Sequence, residues 1–438
     1  MSRLRPGFLT LVAVIGVSAP LFGIRLDPTF GDRGIASGPF NVGVAGVALQ
    51  ADGALVTVGG DGGGGIALVR FTRNGAIDAT FGSSGVATSF PSSAVQPAGL
   101  AIQPDGKIVV AGTVHASLTA SMFVARYLSN GSLDPDFGTG GSVTTSLTPE
   151  GDAASSLVLQ PDGRIVVAGA GGTQFQLIAQ NFEVVRYNPD GSLDPSFGTG
   201  GSVIVNMGGP GASVGLRPDG RLVVGGWTDS PSGQNSFALL GLLGTGATDP
   251  QFGTGGQVFT QVDTSDYTNA IALSPDGKIV SAGATASGVV VLRYRADGSL
   301  DPAFASGGVF KIDLPSAPNA IAVDRQNRVV VTGNFSAGFG LLRLLPNGSE
   351  DPSIGPQGWT SVLGGTPPQY QAYPGGLVIQ PNGEIVIGGV NVVVVAGFVT
   401  LVRYADATVA VPTLFAGGAL LLAIALGLTG VLAIQRAA

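Results

Sequence analysis

Two ionisable residues recur along this chain at a fixed offset, and they are the first feature that could carry chemistry. Arginines stand at Arg70, Arg126, Arg186, Arg293 and Arg343, and eight residues after each stands Asp78, Asp134, Asp194, Asp301 or Asp351. A guanidinium and a carboxylate form a charge-assisted pair. One active site needs one such pair, so a pair in five of the seven copies suits a scaffold better than catalysis. Gly241 replaces the arginine ahead of Asp249, and Arg403 has no aspartate at that distance after it.

The remaining candidates are single residues in irregular connections. His115 is the only histidine, which excludes a His-rich metal site. No GxSxG elbow surrounds a serine that could complete a triad with it. The stretch Asn188-x-Asp190-Gly191-x-x-Asp194 alternates oxygen ligands as a calcium loop does, so calcium is the one cofactor left open. Most copies lack the first of those ligands; Leu128 and Arg295 stand there instead. The run Gly62 to Gly65 lacks the strand–GxxxxGK–helix setting of a phosphate loop. Acidic and aromatic residues collect in the connections that vary most, as Glu150, Asp152, Trp227 and Asp229, then Asp266, Tyr267, Tyr370 and Tyr373. With His115 they suit a sugar, a cation or a partner protein, against the plainer reading of solvated loops.

What positions these residues is a repeat. A tight-turn pair falls at Asp52-Gly53, Asp105-Gly106, Asp162-Gly163, Asp219-Gly220, Asp276-Gly277, Gln326-Asn327 and Asn382-Gly383. Seven residues beyond the first member of each stands a glycine, from Gly59 to Gly389. Each copy holds four strand signals. A short first strand runs into a Pro-Asp-Gly turn, which closes a hairpin into an apolar second strand. A third strand such as Phe123 to Tyr127 alternates at period two, and a fourth follows an LDPxFG loop. No helical periodicity occurs between Leu26 and Asp406.

Four strands per unit at this spacing predict an all-β, seven-bladed β-propeller with four antiparallel strands per blade. The first copy opens on a fourth-strand segment and the last stops at its third strand. Ring closure therefore predicts Ile35 to Phe40 beside Thr400 to Tyr404. The turns between strands one and two, and three and four, are nearly uniform; the other connections vary. Antiparallel strands put the two sets on opposite faces, one constant and one able to differ with a ligand.

The pattern QPDGKIVVAG…RY..DGSLDPSFG resembles the delta-60 repeat, a bacterial propeller repeat, over Leu26 to about Asp406. The resemblance implies a propeller in an exported protein and no assigned catalytic chemistry. Departures are Gly241 and Leu242 for Arg-Tyr, Ile354 for Phe, and Gln326-Asn327 for Asp-Gly.

Both ends read differently from the repeats. Residues 1–23 carry Arg3 and Arg5 before an apolar run from Phe8 to Val17, the pattern of a secretory signal. Residues 24–406 form the propeller. In 407–438, Leu414 to Ile434 is uncharged and long enough to span a bilayer, and Arg436 after it puts the C-terminus in the cytoplasm. The Val411-Pro412-Thr413-Leu414 start resembles IPTL-type C-terminal sorting signals, although Phe415, Ala416 and Gly417 replace the usual Ser-Glu-Trp-like stretch. That likeness implies partners in the export and sorting machinery, with the segment either processed or kept as an anchor.

Composition agrees. Of 438 residues 72 are glycine and none is cysteine, so disulfides and thiolate zinc sites are excluded. A net charge of -7 with no basic cluster argues against nucleic acid. The expected function is an exported, membrane-anchored or surface-sorted binding or adhesion propeller, with a glycan or protein ligand on the variable face. The alternatives are a lyase or lactonase-like hydrolase using acidic residues near the channel, and a surface-layer component.

Overall fold

The computed structural model describes residues 23–40, 42–90, 93–116, 119–172, 181–229, 234–314, 316–335, 338–363, 370–393 and 396–406. The expected signal segment, apart from Gly23, and the apolar C-terminal segment lie outside these residues. Among the described residues no helix is long and apolar enough to cross a membrane.

Seven antiparallel sheets form, six from four consecutive strands each and one from the last three strands joined by two from the N-terminal end. Their first strands are Gly46–Leu49, Val95–Ile102, Asp152–Leu159, Gly211–Leu216, Tyr267–Leu273, Pro318–Val323 and Tyr370–Ile379, which define blades 1 to 7. Blade 3 is representative: Asp152–Leu159 pairs with Ile165–Gly171, that with Asn181–Tyr187, and that with Ser202–Asn206. The first strands neighbour one another round a complete circuit, that of blade 7 lying against that of blade 1, so they line the centre. The turn chemistry is local. In blades 1 to 5 the turn Asp accepts the N–H two residues on, as Asp162 does from Arg164 at 3.1 Å. The glycine after the turn holds a positive φ, 87° at Gly163.

The glycine seven residues after each turn has a packing cause. In blades 2 to 7 the first strand bulges or breaks register opposite it. A first-strand carbonyl then sits where a Cβ would be, as Ala153 O does over Gly169.

The core is seven separate clusters, one at each blade junction. Val56, Leu68 and Phe81 of blade 1 pack with Val110 and Tyr127 of blade 2, and the series continues round to blade 7 against blade 1. Each blade thus buries both sheet faces, which explains the near-continuous apolar runs and the low charge.

The recurring Arg and Asp are structural, as their repetition suggested. Arg186 Nε donates to Asp194 Oδ2 at 2.7 Å, and its guanidinium stacks on Phe197 at 4.5 Å. Burial alone would raise the Asp194 carboxyl; hydrogen bonds from Ser196 and the Arg186 charge outweigh it and lower it. The same arginine reaches into the next blade, donating to Gly244 O at 2.5 Å. Arg70, Arg126, Arg293 and Arg403 do likewise to Ser129, Pro189, Pro346 and Arg73 carbonyls. Blade 4, which has Gly241, is served differently. Arg217, at the end of its first strand, donates to the equivalent carbonyl of blade 5, Ala296 O, at 2.8 Å.

Closure follows the expected pairing. Ile35 is opposite Val402, and Ile24–Leu26 adds a further short strand against Tyr404 to Asp406. Arg403 pairs with Asp27 at 2.5 Å and covers Phe30 at 4.4 Å, so an ion pair joins the two ends of the ring.

Candidate functional site

The face carrying the variable connections holds two constellations. One is open. Trp227, near the end of the second strand of blade 4, meets Tyr267, which starts the first strand of blade 5, edge to face at 5.6 Å. Tyr267 is 40 % exposed. A bridge between Asn235 and Ser265 ties the blade 4 connection to the loop before blade 5. Polar side chains stand on those segments: Gln261 donates to Gln234, and Ser287 Oγ donates to Asp263 at 2.8 Å. Lys311 Nζ bonds Val262 O at 3.2 Å. The Asp263 carboxyl is lowered, first by the Ser287 hydroxyl and then by the Thr264 N–H.

The other constellation is closed. Asp152 opens the first strand of blade 3 and is 1 % exposed. Its carboxylate accepts the Leu147 N–H at 2.7 Å, and the Thr148 N–H and hydroxyl at 3.0 and 2.8 Å. Facing it is Glu183, on the third strand of the same blade and 0 % exposed. Burial first, and then the neighbouring Asp152, push the Glu183 carboxyl up to about 8. Neither Glu183 oxygen accepts a hydrogen bond from a protein donor.

The candidate residues distribute as follows. Trp227 and Tyr267 come together. Asp266 is fully buried rather than presented to solvent; it accepts the Val262 and Asp263 N–H groups at 2.6 and 3.0 Å. Burial raises its carboxyl. Asp152 is buried in the same manner, so the expectation that these two acids face a ligand is corrected: backbone donors in their own loops consume them. Glu150 is exposed in the loop before blade 3, and His115 is half-buried near the end of the second strand of blade 2. Tyr373 is 49 % exposed on the first strand of blade 7, where Tyr370 is its first residue. Asp229 ends the second strand of blade 4.

At the calcium-loop stretch the oxygens have other partners. Asp194 is held by Arg186, Asp190 accepts from Ser192 at 2.7 Å, and Asn188 turns its amide nitrogen toward Ser192 and Leu193. An amide donor and an ion-paired carboxylate do not make a cation cage. Among the described residues no group of three or more His, Asp or Glu side chains is placed to hold a metal ion.

Sequence reasoning missed Glu183. The signal was available in a column. At its place in the other third strands stand Ala67, Phe123, Ala238, Val290, Gly340 and Thr400, none of them ionisable.

The fold and its repeats define a seven-bladed β-propeller repeat protein. Six stretches, 50–81, 103–137, 160–197, 217–252, 274–304 and 327–353, match a family described as a domain of unknown function (DUF5122) beta-propeller. No curated protein sequence matches the chain. Similar solved structures include a gluconolactonase from Xanthomonas campestris, 14 % identical over 83 % of this chain and 88 % of that one, with a TM-score of 0.37. A calcium-binding regucalcin from Agrobacterium tumefaciens is 13 % identical over 68 % and 83 %, TM-score 0.36. A PQQ-bound aldose sugar dehydrogenase from Streptomyces coelicolor is 14 % identical over 70 % and 94 %, TM-score 0.40. At this level of likeness their chemistry is theirs alone.

Proposed function

We propose that this propeller is an exported binding protein, membrane-anchored or sorted to the cell surface, that takes a carbohydrate on its variable face. The observation that carries the reading is the open Trp227–Tyr267 pair at the junction of blades 4 and 5. An exposed ring offers a flat apolar surface to the C–H face of a sugar, and planar amides and carboxylates bond its hydroxyls. Gln234, Gln261 and Asp263 supply such groups beside it. A hydrolase or lyase reading draws on Asp152 and Asp266; both are buried, which favours binding.

The test is calorimetric titration of the full chain with a panel of oligosaccharides, alongside Tyr267→Ala and Trp227→Ala. Binding to at least one glycan is expected, weakened about tenfold or more by Tyr267→Ala, the loss of roughly one good aromatic contact. Unchanged affinity in both variants would move the ligand elsewhere. Cell fractionation checks the export.

A further inference from the structure

Three departures from the repeat meet at one point in blade 3. The first is Asp152, at a place where other blades have Val42, Val95, Gly209, Ser316 and Ala372, and only Asp266 matches it. The second is Glu183, the one ionisable residue in its column. The third is Gly171, directly opposite Asp152 in the sheet register. At the equivalent second-strand place stand Asp61, Val114, Thr228, Thr285, Phe335 and Asn391. A Cβ on Gly171 would overlap Glu183 Oε1. The glycine therefore makes the room in which the second carboxyl lies.

Blade 5 isolates what the second carboxyl adds. Asp266 caps its loop through two N–H groups with Val290 at the Glu183 place, so one aspartate suffices to hold such a loop. Glu183 is not needed for the cap. Burying it has a cost, because a carboxylate without donors or a cation is strongly disfavoured in the interior. Among the described residues no Lys, Arg or His side chain hydrogen-bonds or ion-pairs with either acid. On the same blade the Tyr187 phenol, which donates to Thr145, is pushed up to about 12, first by burial and in part by the Asp152 charge. Two facing carboxyls with no basic neighbour need a cation between them, and the smallest is a proton.

We propose that Asp152 and Glu183 form a one-proton site, a pH-sensitive latch on the segment Leu147 to Asp152 at the ligand face. With one proton shared, Glu183 donates to the Asp152 carboxylate, and Asp152 holds the Leu147 and Thr148 amides. When the Glu183 O–H bond breaks and the proton passes to water, two like charges face each other without donors between them. Asp152 is then driven outward and its hold on the loop is lost. The latch is closed in acid and neutral solution and released in alkali. It stands independently of the carbohydrate reading, because its readouts need no ligand.

The experiment uses the full chain as wild type, Glu183→Gln and Glu183→Ala, the last copying the residue of blades 1 and 4. Infrared spectra are recorded at pH 7 and pH 9, and Tm is followed between pH 5 and pH 9. The wild type should show a protonated-carboxyl band at pH 7 that disappears at pH 9 and is missing from both variants. Its Tm should fall from pH 5 to about 8 and level off, whereas the variants should show a flatter profile. Amide exchange at Leu147 and Thr148, measured relative to Glu183→Gln, should accelerate above pH 8 in the wild type only. A wild type without the band at pH 7, or with a Tm profile parallel to both variants, overturns the proposal. So does a calcium addition at pH 7 that removes the band and raises the wild-type Tm alone, which would make the site metallic.

Discussion

Glu183 is alone among its six counterparts in carrying a carboxyl, and Gly171 is alone among its own in lacking a side chain. The carboxyl fits only because the glycine leaves it room. Gly171→Ala in the wild type forces a methyl group into the Glu183 carboxyl and should destabilise by about 1–3 kcal/mol, the usual penalty for overpacking. In the Glu183→Ala background the same substitution should cost far less. Chemical denaturation of the four proteins gives the coupling directly. Additive effects would mean that the two residues do not share space.

At the scale of strands and loops, the staples between blades show how a repeat absorbs an exception. Gly241 removes the third-strand arginine of blade 4, and a side chain there would start 2.5 Å from the Phe252 ring. Arg217 takes over the carbonyl from a different strand. Other blades have Gln50, Gln103, Gln160 and Gln380 at that place. Arg217→Gln should therefore destabilise by about 1 kcal/mol, the worth of a partly exposed hydrogen bond, and speed amide exchange in the Arg295 to Ser299 turn. A change in exchange spread evenly over all blades would count against a local staple. The substitution for Gly241 could be read from the sequence; the replacement by Arg217 could not, because it depends on how neighbouring blades are set. The blades themselves were legible because Asp-Gly turns and their following glycines answer to local backbone geometry. The pairing of Trp227 with Tyr267 was not, since they belong to different blades and sequence spacing says nothing about the gap between them. Asp152 and Asp266 looked like surface acids because loops are usually solvated; here their own loops fold over them.

For the whole molecule, two sets of carboxyls pull stability in opposite directions with pH. Asp27, Asp134, Asp194, Asp301 and Asp351 all titrate below the ordinary 3.8, their hydrogen bonds and arginine partners outweighing burial. Their contribution is present above that value and is lost as pH falls through the lowered ones. Glu183 is raised from 4.5 to about 8, so its contribution is complete below 4.5 and gone by about 8. Thermal unfolding from pH 2 to 9 should show a maximum at about pH 4–5; a maximum near pH 8 would contradict the assignment of the buried acids.

The closing ion pair has a bearing on how the molecule is made. Asp27 and Arg403 are 376 positions apart, so the first strands of the array meet their partner only after all seven repeats have been made. Until then the nascent protein carries a raw ladder at each flank, and any product ending short of Phe398 keeps them for good. Completion of the seventh blade and loss of the array's stickiness are, for this protein, one event.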